Sequence, residues 1–383
     1  MKKRIFIFIS LVAVSLTSCQ KDPGEVKFAI NDISATEIHT NLQKGFIDSE
    51  DPDFFIKQND NYENNFARKS QSAPIGIKVS YKVTTDNGVT GSYKVVTSET
   101  SDFATSYEHP ASSDSAELYN LKFNTKYFYK VKGYYKSTTF ESEVKEFTTS
   151  NSKLRNIFAE GVENVRDIGG YLTESGKYMK QGLIYRTAQF NYNHSDEDAL
   201  PSEPTSRGRE VLIKQLGLKT EVDIREKVDK KGNDETNGIT SSPLGSSVNY
   251  VSLPMRYGGS NPIREENKDN VKAFLELCAK EENYPLAFHC VRGTDRTGAL
   301  AYVLGALCGA SKEDLIKDYL FSNFANINGG ILKTNNIDGS SYYVYGIENS
   351  TGETMSQKAK NYLIDRTGVS EATLNSIISI LVG

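Results

Sequence analysis

The sequence is poor in the residues that build metal and disulfide sites. Its 383 residues include no tryptophan, only four histidines and only four cysteines. Beyond the amino terminus the cysteines are Cys278, Cys290 and Cys308, and no two of them form a C-x-x-C pair. This spacing excludes a disulfide framework and a zinc site of the usual ligand pattern, so no metal or other cofactor is expected.

The chain also lacks an excess of basic residues. Its 45 lysines and arginines stand against 49 aspartates and glutamates, which gives a net charge of −4. A nucleic-acid-binding surface normally needs a basic excess, so nucleic acid is not an expected partner. Hydrophobic residues at 38% and charged residues at 25% are typical of a globular protein. At roughly 100–200 residues per domain, the length indicates two or three domains.

The longest apolar run lies at the amino terminus. Residues 2–4 are basic, and the apolar run at 5–16 is too short to span a bilayer. It leads into Leu16-Thr17-Ser18-Cys19, which resembles a bacterial lipobox. The resemblance implies a signal peptide over 1–18, a lipid on Cys19 that anchors the protein to a membrane, and a tether over 19–26. The protein would then lie in the bacterial cell envelope, at the outer membrane or the periplasmic face. The alternatives are an ordinary signal peptide with an incidental cysteine, or a buried first strand.

Residues 27–150 have the pattern of β-strands. The stretch 75–83 alternates apolar and polar residues and is followed by the turn sequence Asp86-Asn87-Gly88. Further on, Leu121 precedes an Asn-Thr turn, and Tyr127 opens the next strand. This pair resembles the tyrosine corner of a fibronectin type III domain, which implies an all-β sandwich that acts as a spacer.

From about residue 154 strands alternate with helices, as in an α/β domain. Buried strands are predicted at 220–224, 250–254 and 285–289, and apolar residues at helical spacing fill 271–278 and 300–307. We therefore predict an α/β domain over 154–383 with a central, largely parallel sheet flanked by helices. The polar insertions at 227–246 and 334–358 are predicted to be lids or surface loops.

The segment 289–298, HCVRGTDRTG, stands between a buried strand and a helix. A loop over a helix N-terminus directs several backbone N–H groups at one point, and the helix dipole adds partial positive charge. Such a loop binds phosphate or a similar oxyanion. Contacts to that anion are expected from the loop residues Val291, Arg292, Gly293 and Thr294. The planar guanidinium of Arg296 is expected to hold two phosphate oxygens.

Cys290 begins this loop, beneath the predicted phosphate. The same donors would stabilise its thiolate, and a thiolate in line with the leaving oxygen is set for phosphoryl transfer through a cysteinyl-phosphate. Thr297 is predicted to hydrogen-bond the sulfur, and His289 to order the loop. The structural alternative, a buried cysteine beside a capped helix, explains none of Gly293, Arg296 and Thr297.

The string H-C-x2-G-x2-R-T-G resembles the signature of the cysteine-dependent protein tyrosine phosphatase superfamily. Upstream, 164–171 and 182–187 resemble the N-F-R-D-L-G-G and G-x-L-x-R-S motifs of bacterial tyrosine-protein phosphatases of the atypical, dual-specificity-like branch. The resemblance covers roughly 158–383. Thr294 is a departure, because those enzymes carry there a lysine associated with binding further phosphates of phosphoinositides. Arg292 in the same loop would compensate partly.

The leaving oxygen needs a proton, and two aspartates are candidates for the general acid. Asp295 lies inside the loop, and Asp223 ends a strand whose carboxyl end is expected to face the same crevice. Sequence spacing does not decide between them. Arg186 and Arg225 are predicted to be auxiliary contacts to the anion or substrate.

The resemblance implies hydrolysis of a phosphorylated protein or a small phosphomonoester, with a protein tyrosine or dual-specificity phosphatase as the first choice. A phosphoinositide or inositol-phosphate phosphatase on the same site is the alternative. A rhodanese-type sulfurtransferase and a non-catalytic phosphate- or sulfate-binding envelope protein are the rivals from other classes. Release of phosphate from p-nitrophenyl phosphate separates these classes.

Overall fold

The computed structural model describes residues 22–51, 53–57, 72–192, 202–228, 232, 234–257, 263–326, 331–337 and 342–383. The predicted signal peptide and Cys19 lie outside the described residues. No helix in the described part of the chain is both long and apolar enough to cross a membrane.

The first part of the chain is built from antiparallel strands. They are β1 (Val26–Ile30), β2 (Ile77–Thr85), β3 (Ser92–Ser98), β4 (Ser106–Ala111), β5 (Ser115–Leu118), β6 (Lys126–Tyr135), β7 (Thr138–Glu141) and β8 (Lys145–Thr148). Their order is β1-β2-β5-β4-β3-β6-β7, and β8 also pairs with β6. β4 and β5 are joined only through the pair Ala111–Ala116.

Alternation along the strands determines which side chains form the core of this first unit. In β6 every second residue from Tyr127 to Tyr135 faces inward, as the period of two requires. Leu121 and Tyr127 are both buried, and the N–H of Lys122 donates to Tyr127 Oη at 3.0 Å. This contact ties the chain before β6 to the strand itself.

Two helices interrupt the predicted sandwich range and belong to a different core. α1 (Asn41–Asp48) begins at Thr40, whose hydroxyl accepts from the N–H of Gln43 in a capping box. α2 (Phe54–Lys57) follows. Their buried residues Phe46, Ile47 and Phe55 lie in the apolar core of the second unit. The range 27–150 is therefore not filled by sandwich strands alone.

The second unit has a five-stranded sheet. Its strands are β9 (Arg166–Asp167), β10 (Ile184–Thr187), β11 (Thr220–Asp223), β12 (Asn249–Ser252) and β13 (Leu286–His289), in the order β12-β11-β13-β10-β9. The pairs β12–β11, β11–β13 and β13–β10 are parallel, and only the edge strand β9 is antiparallel to its neighbour. The predicted strands after residue 154 therefore align as a mostly parallel sheet.

Helices pack around this sheet. They are α3 (Ser206–Glu210), which continues as a π-helical turn at Val211–Gln215, α4 (Lys268–Cys278), α5 (Asp295–Leu307), α6 (Lys312–Phe321), α7 (Tyr343–Glu348), α8 (Met355–Thr367) and α9 (Glu371–Leu381). α5 follows β13 after only five residues, and almost all of its side chains are buried. It is the central helix of the second unit.

A buried arginine joins the two units. Nη2 and Nε of Arg155 donate to the carbonyl oxygens of Asn120 and Leu121 at 2.5 and 3.0 Å, and Nη1 pairs with Asp167 at 2.6 Å. Asn120 in turn exchanges two hydrogen bonds with the backbone of Phe158. Asp167 also accepts from the N–H of Gly182, which lies just before β10. The first unit therefore contacts the amino end of that strand, opposite the carboxyl end where β13 leads into α5.

Candidate active site

The loop 290–294, called the signature loop below, connects β13 to α5. Gly293 has φ +69°, and a Cβ added to it would lie 2.4 Å from the carbonyl oxygen of Thr187. Only glycine fits this backbone and this close approach, which is the reason for the glycine in the motif. Thr294 makes no side-chain cap on α5. The side chain at the N-cap position therefore does not occupy the backbone donors of the first helical turn.

The carbonyl groups of the signature loop are held from behind. Asn164 Nδ2 donates to the carbonyl oxygens of Arg292 and Gly293 at 3.1 and 3.2 Å, and Arg186 Nη2 donates to Gly293 O at 2.6 Å. By contrast, the backbone N–H groups of 291–294 have no acceptor within the described residues. The loop therefore turns its acceptors inward and leaves its donors free, as an anion site requires.

Arg186, predicted to be an auxiliary contact to the anion or substrate, lies behind the signature loop. Its side chain is fully buried, and its guanidinium also pairs with Asp318, which binds Arg166 Nε at 3.0 Å. Burial alone would raise the pKa of Asp318, but Arg186 and Arg166 hold that pKa below its ordinary value. Arg186 is thus a support of the signature loop and not a contact to substrate.

Cys290 is buried, 3% exposed, at the floor of the loop. Its N–H donates to Thr297 Oγ1 at 2.8 Å, so the threonine hydroxyl holds the backbone of the cysteine. The predicted hydrogen bond from Thr297 to the sulfur is not formed in this structure. His289 Nδ1 lies 3.1 Å from the carbonyl oxygen of Cys290, at the start of the loop that it was predicted to order.

The guanidinium of Arg296 is occupied on one side and free on the other. Its Nη1 and Nη2 donate to the two oxygens of Glu235 at 2.7 and 3.0 Å, and Nη1 also reaches Met255 O at 3.2 Å. Its Nε is buried and has no hydrogen-bond partner among the residues that the structure describes. Burial would lower the pKa of Arg296, but the sulfur of Cys290 and the Glu235 carboxylate raise it above the ordinary value.

This geometry changes the predicted role of Arg296 in one respect. The terminal pair of nitrogens, expected to hold two phosphate oxygens, is taken by Glu235. The unpartnered Nε is the donor left for an anion above Cys290, because a buried N–H without an acceptor is costly. Glu235 comes from the polar insertion at 227–246, which was predicted to be a lid or surface loop. No sequence pattern identified Glu235 as a site residue, because it contacts Arg296 across 61 positions in the chain.

Asp223 and Arg225 are fully buried and paired with each other. Arg225 Nη2 binds Asp223 Oδ2 at 2.6 Å, and Tyr250 Oη donates to the same oxygen at 2.9 Å. Burial raises the pKa of Asp223, but His289 and Arg225 outweigh it and lower that pKa to about 2. Arg225 also donates to Gln189 Oε1 at 3.1 Å. Neither residue is free for the roles predicted, an acid for Asp223 and a substrate contact for Arg225.

Asp295 opens α5 directly after the loop. Burial raises the pKa of its carboxyl, against the opposing effects of the Thr294 hydroxyl and the nearby arginines. Thr294 Oγ1 donates to Asp295 Oδ2 at 3.3 Å, so the residue at the family's lysine position is turned onto the aspartate and is itself buried. Tyr257, 44% exposed, places its ring 5.6 Å from the Arg296 guanidinium at the same mouth.

The two other cysteines are core residues. Cys278 and Cys308 are buried and unpaired. Burial raises the pKa of Cys308 to about 12 and that of Cys278 further still. Among the described residues, no group of three or more His, Cys, Asp or Glu side chains is arranged to hold a metal ion.

Comparison with known proteins gives a consistent assignment. A sequence model described as "Tyrosine phosphatase family" matches residues 157–383, more than half of the chain. An inferred tyrosine-protein phosphatase of Cupriavidus necator is 28% identical over 181 residues, which cover 43% of this chain and 62% of the relative. The chain thus spans less than two thirds of that relative's length.

Two solved structures of the Siw14 catalytic core also align. The core domain of the PP-IP phosphatase SIW14 from S. cerevisiae, in complex with citrate, is 17% identical over 43% of this chain and 80% of that chain, with a TM-score of 0.26. The other is 18% identical over 41% of this chain and 76% of that chain, also with a TM-score of 0.26. Both TM-scores are too low to establish a shared fold.

Proposed function

Because the chain belongs to the tyrosine phosphatase family, we propose that it hydrolyses phosphomonoesters through a cysteinyl-phosphate formed on Cys290. The observation that carries the proposal is the set of unused donors around this sulfur. The N–H groups of 291–294 have no acceptor among the described residues, and the buried Nε of Arg296 has no partner. A tetrahedral oxyanion above Cys290 would satisfy them together.

In the proposed reaction the Cys290 thiolate attacks phosphorus and the ester oxygen leaves on the opposite side. The S–P bond forms as the P–O bond breaks, and the departing oxygen takes the proton of Asp295. Water then attacks the phosphocysteine, Asp295 accepts its proton, and phosphate leaves with the thiolate restored. Asp295 suits this role better than Asp223, since burial favours its protonated form and its position borders the loop.

The test is release of p-nitrophenol from p-nitrophenyl phosphate in the presence of EDTA. We expect the wild-type protein to hydrolyse p-nitrophenyl phosphate. The kcat of the Cys290→Ser variant should fall at least about 1,000-fold, because the serine alkoxide nucleophile is not formed. Cys308→Ser, a change at a buried cysteine outside the loop, is the matched control and should retain activity. Equal rates in wild type and Cys290→Ser would rule out the nucleophile.

For the substrate class we propose a phosphotyrosine- or dual-specificity-type phosphomonoester. The absence of the lysine at position 294, where Thr294 is buried and turned onto Asp295, disfavours substrates with several phosphates. A panel of phosphotyrosine and phosphoserine peptides, phosphoinositides and inositol phosphates tests this choice. Preferential release of phosphate from an inositol polyphosphate would overturn it.

We also propose that the first unit is a fibronectin type III-like sandwich and that the mature chain is held in the cell envelope by a lipid on Cys19. The buried Tyr127 and its bond from Lys122 N–H support the first point. The basic residues, short apolar run and cysteine of the leader support the second. Expression of the full chain in bacteria with radiolabelled palmitate should label wild type and not Cys19→Ser.

A further inference from the structure

A carboxylate is buried in the middle of the sheet behind the signature loop. Glu221 is fully buried on β11, a strand with neighbours on both sides, since its Cα pairs with Tyr250 of β12 and Ala287 of β13. Removing a carboxylate from water is costly unless hydrogen bonds satisfy it. Both oxygens of Glu221 are satisfied by side chains: Oε1 lies 3.0 Å from His289 Nε2, and Oε2 accepts from Ser242 Oγ at 2.5 Å.

His289 is held at both ring nitrogens. Nδ1 lies 3.1 Å from the carbonyl oxygen of Cys290, which can only accept, so this nitrogen carries a hydrogen. Nε2 faces Glu221 at 3.0 Å, and a second hydrogen between them completes that contact. The ring has no freedom to rotate without breaking one of the two bonds. The other carboxylate near it, Asp223, lies 4.0 Å from Nδ1 and is already engaged by Arg225.

The chain of contacts therefore runs from Glu221 through His289 to the Cys290 carbonyl. This carbonyl belongs to the peptide that begins the signature loop, and its direction fixes the direction of the following N–H groups. We propose that Glu221 is a positioning residue: it orients His289, and through it the loop that holds the Cys290 thiolate. The proposal rests on the function proposed above. Glu221 does not touch the substrate.

A purely structural role for Glu221 predicts different behaviour. Removing one partner of a buried, hydrogen-bonded pair destabilises a fold, because the other partner stays buried without its contact. In the Glu221→Leu variant His289 Nε2 and Ser242 Oγ lose their acceptor, so we expect the melting temperature to fall. With a positioning role, kcat for p-nitrophenyl phosphate also falls about 10- to 100-fold at temperatures where circular dichroism shows the variant folded, as when a partner that orients a ligand is removed. A purely structural role leaves kcat of the folded variant unchanged. KM should stay within about threefold, since Arg296 and the loop donors remain.

Conservative and matched variants sharpen the test. Glu221→Gln retains a side-chain amide that can donate to His289 Nε2 while Nδ1 keeps its hydrogen, so we expect it to recover most of the activity. Glu276→Leu, a change at an exposed carboxylate on α4, is the control and should match wild type. Activity of folded Glu221→Leu equal to wild type, or a loss in Glu221→Gln as large as that in Glu221→Leu, would overturn the proposal.

An assay that needs no substrate turnover distinguishes a failure of this inference from a failure of the proposed function. The rate at which iodoacetate alkylates Cys290 reports on the thiolate whether or not the protein hydrolyses any substrate. We expect a slower rate in Glu221→Leu and a near wild-type rate in Glu221→Gln. If wild type hydrolyses nothing but this difference is present, the proposed function fails and the positioning role stands. If Glu221→Leu does not fold, Glu221→Asp replaces it, because the shorter carboxylate withdraws from Nε2; an unchanged alkylation rate there refutes the role.

Discussion

Asp295 and Asp223 were the two candidates for the general acid, and their surroundings shift the pKa values of their carboxyl groups in opposite directions. Burial raises the pKa of Asp295, while His289 and Arg225 overcome burial and lower the pKa of Asp223 to about 2. We predict that Asp295→Asn lowers kcat for substrates with poor leaving groups by about 100-fold, the usual contribution of a general acid. The decline of kcat with rising pH, which reports loss of the proton from Asp295, should disappear in this variant. An unchanged pH profile would remove Asp295 from the mechanism.

We predict that Asp223→Asn lowers the free energy of unfolding. Breaking one partner of a buried pair costs about 3–5 kcal/mol in the free energy of unfolding, measured by urea denaturation. The pKa of Asp223 falls from 3.8 to about 2 on folding, so its contribution is present above pH 3.8 and is lost as the pH drops towards 2. The difference in stability between wild type and variant should therefore shrink at low pH. A difference independent of pH would contradict the ion pair.

The connection between β13 and α5 is the element whose shape could be predicted best from the sequence. A buried strand, a glycine-containing loop and a helix are consecutive in the chain, so local pattern was sufficient to place Cys290 in the loop. The segment 289–298 was predicted to lie between strand and helix, whereas the helix already begins at Asp295 and includes Arg296. The roles of Arg186 and Arg225 could not be predicted in this way. Their partners Asp318 and Gln189 are 132 and 36 residues distant, and only the folded sheet shows that both arginines are enclosed.

The backbone of this element depends on Gly293. We predict that Gly293→Ala loses about 1–3 kcal/mol of stability, together with most of the activity, because a side chain at positive φ is strained and its Cβ would lie 2.4 Å from Thr187 O. Gly217→Ala is a matched control, since Gly217 has φ +68° but its nearest Cβ neighbour is 3.9 Å away. Thermal unfolding and p-nitrophenyl phosphate turnover should show a larger loss at Gly293. Equal losses at both positions would show that φ alone matters and that the close approach does not.

The sandwich strands have a core of their own, but helices α1 and α2 contribute to the apolar core of the second unit, which no local pattern indicated. The strands of the first unit were predictable from the alternation of apolar and polar residues. The packing of helix α1 against the second unit was not predictable in this way. Its Phe46 packs against the rings of Phe321 and Phe324, with centroids 6.2 and 5.8 Å apart. These residues are separated by more than 270 positions in the chain. Together with Arg155, these contacts make the first part of the molecule a structural support of the phosphatase unit as well as the predicted spacer.

Phe46→Ala tests the packing of α1 in the core of the second unit. Phe46 is 2% exposed, and truncating a buried phenylalanine costs about 3–5 kcal/mol. We predict a loss of this size in the urea-induced unfolding of the second unit, followed by exposure of Cys308 to a thiol reagent at lower denaturant than in wild type. Phe128→Ala, on the outward face of β6, is the control and should leave the reactivity of Cys308 unchanged. If Phe46→Ala leaves the unfolding of the second unit at the wild-type midpoint, the two parts of the chain are energetically independent and α1 is only an adjacent segment.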